Sequence, residues 1–153
     1  MLHTAAPAGL RIKPLSFTNV TANLSGQNPV VQVIGACNLD VDNNGLIEPA
    51  TDGAAILRRM MGLNSTAFTG LAGTCAGNTT GTAIYNATNS NYNVTGGPNT
   101  LVRTDGMVIL RAMQGLTGTN VTNNLGLGNE SGATNTTWPL VQTWLSTTCG
   151  TSF

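Results

Sequence analysis

The sequence predicts a mainly α fold with long irregular loops, and three patterns carry that expectation. The segment Thr51 to Leu63 (TDGAAILRRMMGL) returns at Thr104 to Leu116 (TDGMVILRAMQGL) with nine of thirteen residues identical, which marks an internal duplication of a loop-helix unit. Residues 137–147 place Trp138, Val141 and Leu145 at helical spacing, so a C-terminal helix follows the second copy. Residues 1–36 instead carry short period-two stretches and read as an extended, strand-like N-terminal β arm. The expected organisation is an arm over 1–36 and one domain over 37–153. That domain holds repeats at 37–69 and 93–122, an inserted loop at 70–100 and the closing helix at 137–147.

Each element has a local reason. In the arm, Leu15-Ser-Phe17-Thr-Asn19-Val-Thr21 alternates, and Val30-Val31-Gln32-Val33-Ile34 is short, β-branched and bounded by Pro29 and Gly35. In the first repeat, Ile56, Leu57, Met60 and Met61 form the expected buried side, Arg58 and Arg59 the outward one, and Gly62 the stop. The second copy keeps the helix, with Asp105 as a helix-start residue and its loop held by hydrogen bonds or by Arg103. The insert, rich in Asn, Thr and Gly, reads as a long surface loop with room for a short hairpin. In the last helix Thr137 stands at the cap position, Pro139 suits the first turn, and the tryptophans are expected to anchor the core.

Composition narrows the function. Thr (24), Asn (18) and Gly (19) make up about 40% of the 153 residues, while six acidic and six basic residues leave a net charge of zero. No basic field exists to hold a phosphate backbone, so a nucleic-acid partner is not expected. No apolar run is long enough for a membrane span. The only histidine is His3, and no nucleophile-elbow, zinc-protease or phosphate-loop pattern is present, so the chain is not expected to be an enzyme. Residues 1–9 lack the basic and apolar regions of a secretion signal, and the remaining composition favours a mature exported chain, extracellular or at the cell surface. Nine Asn-x-Ser/Thr triplets fit that compartment as glycan acceptors, although a chain this rich in Asn and Thr makes many by chance. Neutrality leaves little repulsion between copies and favours association.

Four of the six acids fall in one run, Asp40-Val-Asp42-Asn-Asn44-Gly45-Leu46-Ile47-Glu48-Pro-Ala-Thr51-Asp52. Oxygen-bearing side chains at alternate residues, followed by a glycine turn, suit a calcium ion that takes six to eight oxygens. Asp40, Asp42 and Asn44 take loop positions one, three and five, Gly45 the turn, and Leu46 offers its carbonyl at seven. Glu48 at nine binds directly or through water. The closing carboxylate, Asp52, comes one residue later than the twelve-residue pattern requires. In the second copy Asn93, Thr95 and Gly97 replace Asp40, Asp42 and Asn44, so one Ca2+ per chain is expected. Cys37 and Cys149 bracket the duplicated region and are the expected disulfide, with the pairs 37–75 and 75–149 open on sequence grounds.

The acidic loop followed by Thr-Asp-Gly-x-x-Ile-Leu-Arg, given twice, resembles the dockerin-type, EF-hand-like calcium repeats of bacterial extracellular proteins. The resemblance covers Cys37 to Leu63 best and Arg103 to Thr122 less closely. It implies a loop-helix module with calcium held by Asp40, Asp42, Asn44, Leu46 and Asp52, with Glu48 alongside them, and used for docking or stability. Two roles follow: a subunit of a self-associating surface fibre or layer, whose arm contacts a neighbouring copy, or a monomeric module that docks on a cohesin-like protein.

Overall fold

The computed structural model describes residues 37–89 and 91–153, and the arm expected over 1–36 lies outside them. The described chain is mainly helical and contains no β-strand among those residues. A π-helical turn, Pro49–Gly53, runs into α1 (Ala54–Met60), and a 3-10 turn (Ser65–Phe68) leads on to α2 (Gly81–Ala87). The second half opens in the same way, with a π-helical turn (Val102–Gly106) and α3 (Met107–Met113), and continues through the short α4 (Thr119–Thr122), a 3-10 turn (Leu127–Asn129) and α5 (Trp138–Thr148).

The duplicated segments fold alike in detail. Gly53 N–H donates to Glu48 O at 3.1 Å and Gly106 N–H to Leu101 O at 3.2 Å, the wide bonds that define each π turn. Both helices stop at a glycine with positive φ, Gly62 (+75°) and Gly115 (+78°). The amides of Leu63 and Leu116 reach back to Arg58 O and Arg111 O, each at 3.1 Å. This paired closure satisfies carbonyls that would otherwise end without a donor, and glycine adopts the left-handed turn at no side-chain cost.

The two copies face each other. A Cβ on Gly53 would lie 2.9 Å from Leu110 Cδ1 and 3.1 Å from Met113 Sδ, while one on Gly106 would lie 2.7 Å from Leu57 Cδ2 and 3.1 Å from Met60 Sδ. Each relation becomes the other under a shift of 53 residues, so the helix starts meet about an approximate two-fold axis. Backbone φ is ordinary at both glycines, so what they provide is room for the ends of the opposing leucine and methionine side chains.

The duplication extends beyond the matching helices. Phe68 and Val121 are both fully buried at a spacing of 53, and Ile84 with Val141 and Thr88 with Leu145 are buried pairs at a spacing of 57. The segment 70–100, expected as a surface loop with a hairpin, therefore contains α2, capped by Thr80 Oγ1 accepting from Ala83 N–H at 3.1 Å. It also delivers Tyr92, Val94 and Thr95 to the interior. Two expectations for α1 are corrected as well. Met61 is 55% exposed, because the helix ends before it turns inward. Arg58 and Arg59 are half-buried: Nη1 of Arg58 donates to Ala67 O, and the Arg59 guanidinium sits 4.3 Å above the Tyr85 ring. In α5, Val141 and Leu145 are buried and both tryptophans pack partly buried against the core.

Cys37 and Cys149 form a disulfide, with Cys37 N–H donating to Thr148 O at 3.2 Å, and Cys75 is exposed and outside this bridge. The bridge ties the entrance of the first loop to the end of the last helix across 112 residues. Closing so long a loop in the unfolded chain contributes about 4 to 5 kcal/mol in the chain-entropy model. Replacing both residues by serine is expected to lower unfolding free energy by that order, read from urea denaturation monitored by circular dichroism.

Candidate metal centre

The first loop is built around one buried side chain. Asp52 is fully buried, and its Oδ1 accepts from Val41 N–H at 2.8 Å and Asp42 N–H at 3.3 Å, while its Oδ2 accepts from Glu48 N–H at 2.8 Å. The last bond has the sense of a capping box, in which a carboxylate reaches back to the amide at the helix entry. Here it comes from the fourth helical position, since the π turn inserts one residue. That insertion accounts for the late closing acid: the extra residue is absorbed in the turn, and Asp52 returns to the loop that Asp40 and Asp42 begin.

The result is a cluster. One carboxylate oxygen from each of Asp40, Asp42 and Asp52 lies within 4.8 Å of the others, a grouping able to hold a metal ion. Loop amides fix each of them. Asp40 accepts from Asn44 N–H at 3.0 Å and Gly45 N–H at 2.9 Å, and Gly45 makes the turn at φ +85°. Asp42 accepts from Asn44 N–H at 3.2 Å and, from across the loop, from Gly73 N–H at 2.6 Å.

The remaining sequence candidates stand around these three. Asn44 turns its Nδ2 toward Glu48 Oε2 at 3.0 Å and Asp42 Oδ2 at 3.4 Å, and its Oδ1 accepts from Leu46 N–H at 2.7 Å. Glu48 thus joins the cluster through Asn44. Leu46 leaves its side chain 37% exposed, and Ile47 packs partly buried against the core, pinning the loop.

Burial pushes the Asp52 carboxyl up to about 6, against the opposing pull of the amides of Glu48, Asp42 and Val41; the neighbouring Asp42 charge raises it further. Burial likewise raises Asp40, with the amides of Gly45 and Asn44 opposing it. Carboxylates held this way are costly while ionised without a counter-ion. A divalent cation would relieve that cost.

Sequence reasoning missed three participants. Gly73 lids the loop, and a Cβ there would stand 2.8 Å from both Asp42 Oδ2 and Asn44 Nδ2 and 2.9 Å from Glu48 Oε2. Asn78 holds the loop backbone, with Nδ2 donating to Val41 O at 2.9 Å and N–H to Asp42 O at 2.8 Å. Asn135 does the same for the second loop, donating to Val94 O at 2.7 Å and Thr95 O at 2.9 Å. The available signal is the tripeptide Asn-Thr-Thr, present at both 78–80 and 135–137.

The second loop keeps the scaffold with different chemistry. Asp105, fully buried, accepts from Thr95 N–H at 2.8 Å, Thr95 Oγ1 at 2.9 Å and Leu101 N–H at 2.8 Å. Hydrogen bonds hold this loop, and Arg103 is exposed. Elsewhere, a cavity of about 250 Å³ between the end of α3 and the C-terminal tail is lined by Ile47, Met113, Leu116 and Phe153 among others, with no ionisable side chain.

No protein-family model, curated protein or solved structure matches this chain. Among the described residues, no helix is long and apolar enough to cross a membrane.

The raised carboxyls set a pH dependence with a definite sign. For the metal-free protein, the native state binds more protons than the unfolded chain between the ordinary aspartate range near 3.8 and about 6. Stability therefore rises as pH falls from 7 through that window. Melting temperature in chelator is expected to increase between pH 7 and pH 5. With a divalent cation, whose binding protons oppose, the trend is expected to flatten or reverse over the same range.

Proposed function

We propose that this chain is a non-catalytic, calcium-stabilised structural protein of the extracellular space or cell surface, one subunit of a fibre or layer in which the N-terminal arm contacts a neighbouring copy. The observation that carries the metal half is the convergence of Asp40, Asp42 and Asp52 within 4.8 Å on a loop whose amides already fix their positions. Three carboxylates, with Glu48 held beside them through Asn44, whose Oδ1 accepts from Leu46 N–H, make an oxygen donor set, the chemistry of a hard cation of calcium's size. The ion supplies charge neutralisation and ties the loop to the start of α1. Because most of the donors come from one loop, its contribution is to stability.

The extracellular half rests on the Cys37–Cys149 bridge, since such bonds persist in oxidising compartments. Self-association rests on zero net charge with few charged residues and on the strand-like pattern of the arm.

A second reading, a module docking on a cohesin-like protein, draws on Leu63 and Leu116. They occupy equivalent positions after α1 and α3 and are 40% and 37% exposed, a matched apolar pair on the two repeats.

Calorimetry is expected to find one calcium site per chain. The Asp40→Ala/Asp42→Ala variant is expected to melt where chelated wild type does, and a variant that melts with calcium-loaded wild type would remove the ion from the account.

Deleting residues 1–36 tests the part the arm plays in assembly. The truncated protein is expected to stay folded and to bind calcium but to lose polymerisation, scored by electron microscopy and light scattering. Fibres formed by truncated protein would take the arm out of the mechanism.

A further inference from the structure

Nine Asn-x-Ser/Thr triplets occur in the sequence, and the fold sorts those it describes. Transfer of an oligosaccharide to an asparagine of the already folded chain needs a carboxamide nitrogen free of the protein, a readable hydroxyl two residues on, and surface backbone between them. Asn78, Asn93 and Asn135 fail the first requirement. Their Nδ2 groups donate to Val41 O, Gly97 O and Val94 O at 2.9, 2.6 and 2.7 Å, bonds that shape the two loops.

Three more fail as well. In Asn86-Ala87-Thr88 the threonine is 1% exposed and its Oγ1 donates to Tyr85 O at 2.7 Å. In Asn120-Val121-Thr122 the middle residue is a fully buried part of the core. In Asn129-Glu130-Ser131 the carboxamide folds back over Gly126, where a Cβ would stand 2.6 Å from Asn129 Nδ2, so the nitrogen lies against the chain.

Asn64-Ser65-Thr66 meets all three. Asn64 and Thr66 are exposed, Asn64 has extended backbone (φ −81°, ψ 172°), and Thr66 Oγ1 donates to Asn64 Oδ1 at 2.6 Å. That bond fixes the carboxamide plane and leaves Nδ2 on the opposite side, with no partner among the described residues. The site also follows directly on Met61 and Leu63, 55% and 40% exposed, which a bound oligosaccharide would shield from water.

We infer that Asn64 is the N-glycan acceptor of the folded domain, its substrate partner being a lipid-pyrophosphate-linked oligosaccharide presented by a transferase outside the cytosol. The inference rests on the extracellular reading above. In the transfer, Asn64 Nδ2 attacks the anomeric carbon and forms the N–C bond. The bond from that carbon to the pyrophosphate oxygen breaks, the lipid pyrophosphate departs with the electron pair, and one amide proton passes to a base of the transferase.

The test exports the full chain, carrying Asn19→Gln and Asn23→Gln, from a host that has such a transferase, followed by intact mass and glycopeptide mapping. The expected result is one glycan, at Asn64, abolished by Asn64→Gln and by Thr66→Ala and retained in Thr66→Ser, with Asn78, Asn93 and Asn135 bare. A disulfide-bonded, exported chain with unmodified Asn64 overturns the inference and leaves the extracellular reading standing. Glycan at Asn78 or Asn135 in folded protein overturns the sorting. Antibody labelling of the source cells reads the compartment separately, and label confined to the cytosol would remove both.

Discussion

The fold depends on a buried carboxylate that collects the amides of its own preceding loop. Asp52 and Asp105 each sit at zero exposure inside a π turn, and each accepts from the amide at the helix entry, Glu48 or Leu101, and from the amide ten residues back, Asp42 or Thr95. Burying such a group without donors would be prohibitive, so the loop has to close upon it. Once the loop is closed, Val41 and Val94 point into the core and the π turn delivers Gly53 and Gly106 to the opposite helix.

From this common scaffold the halves diverge by exchanging where the acid comes from. In the first loop the carboxylates belong to the loop itself, and the residue facing them is Gly73, which leaves room. In the second loop Gly97 stands in place of Asn44. Glu130, 57 residues beyond Gly73, brings its carboxylate against Gly97, into the space a Cβ there would take. One half therefore gathers three acids at a point, and the other fills the corresponding space with a side chain from across the loop. The same loop backbone thus carries either an acidic cluster able to hold a metal ion or a carboxylate bonded from across the loop.

How far the sequence could be read follows from these contacts. Thr-Asp-Gly-x-x-Ile-Leu-Arg was legible as a duplication because the carboxylate, the glycine facing the partner helix, and the arginine that reaches the next segment's carbonyls each do the same work twice. The second half of each repeat was not, because the spacing changes from 53 to 57 between Val121 and Asn135. The helices that follow share buried positions but almost no residue identities, as with Ile84 and Val141. A buried aliphatic site accepts many residue types, whereas a carboxylate that accepts backbone amides accepts few.

The amino-acid sequence by itself determined the repeated helices, their glycine stops, the acidic loop and the bracketing cysteines, since each follows from local chemistry within a few residues or from outright identity. Only the tertiary structure decided that Asp52, late by one residue in the linear pattern, returns to Asp40 and Asp42 through a π turn, that Gly73 and Asn78 complete the loop from some thirty residues away, and that the supposed insert is half of a repeat. These outcomes turn on backbone amides and on room left by absent side chains. Neither carries a residue name, so both become visible only when the chain is folded.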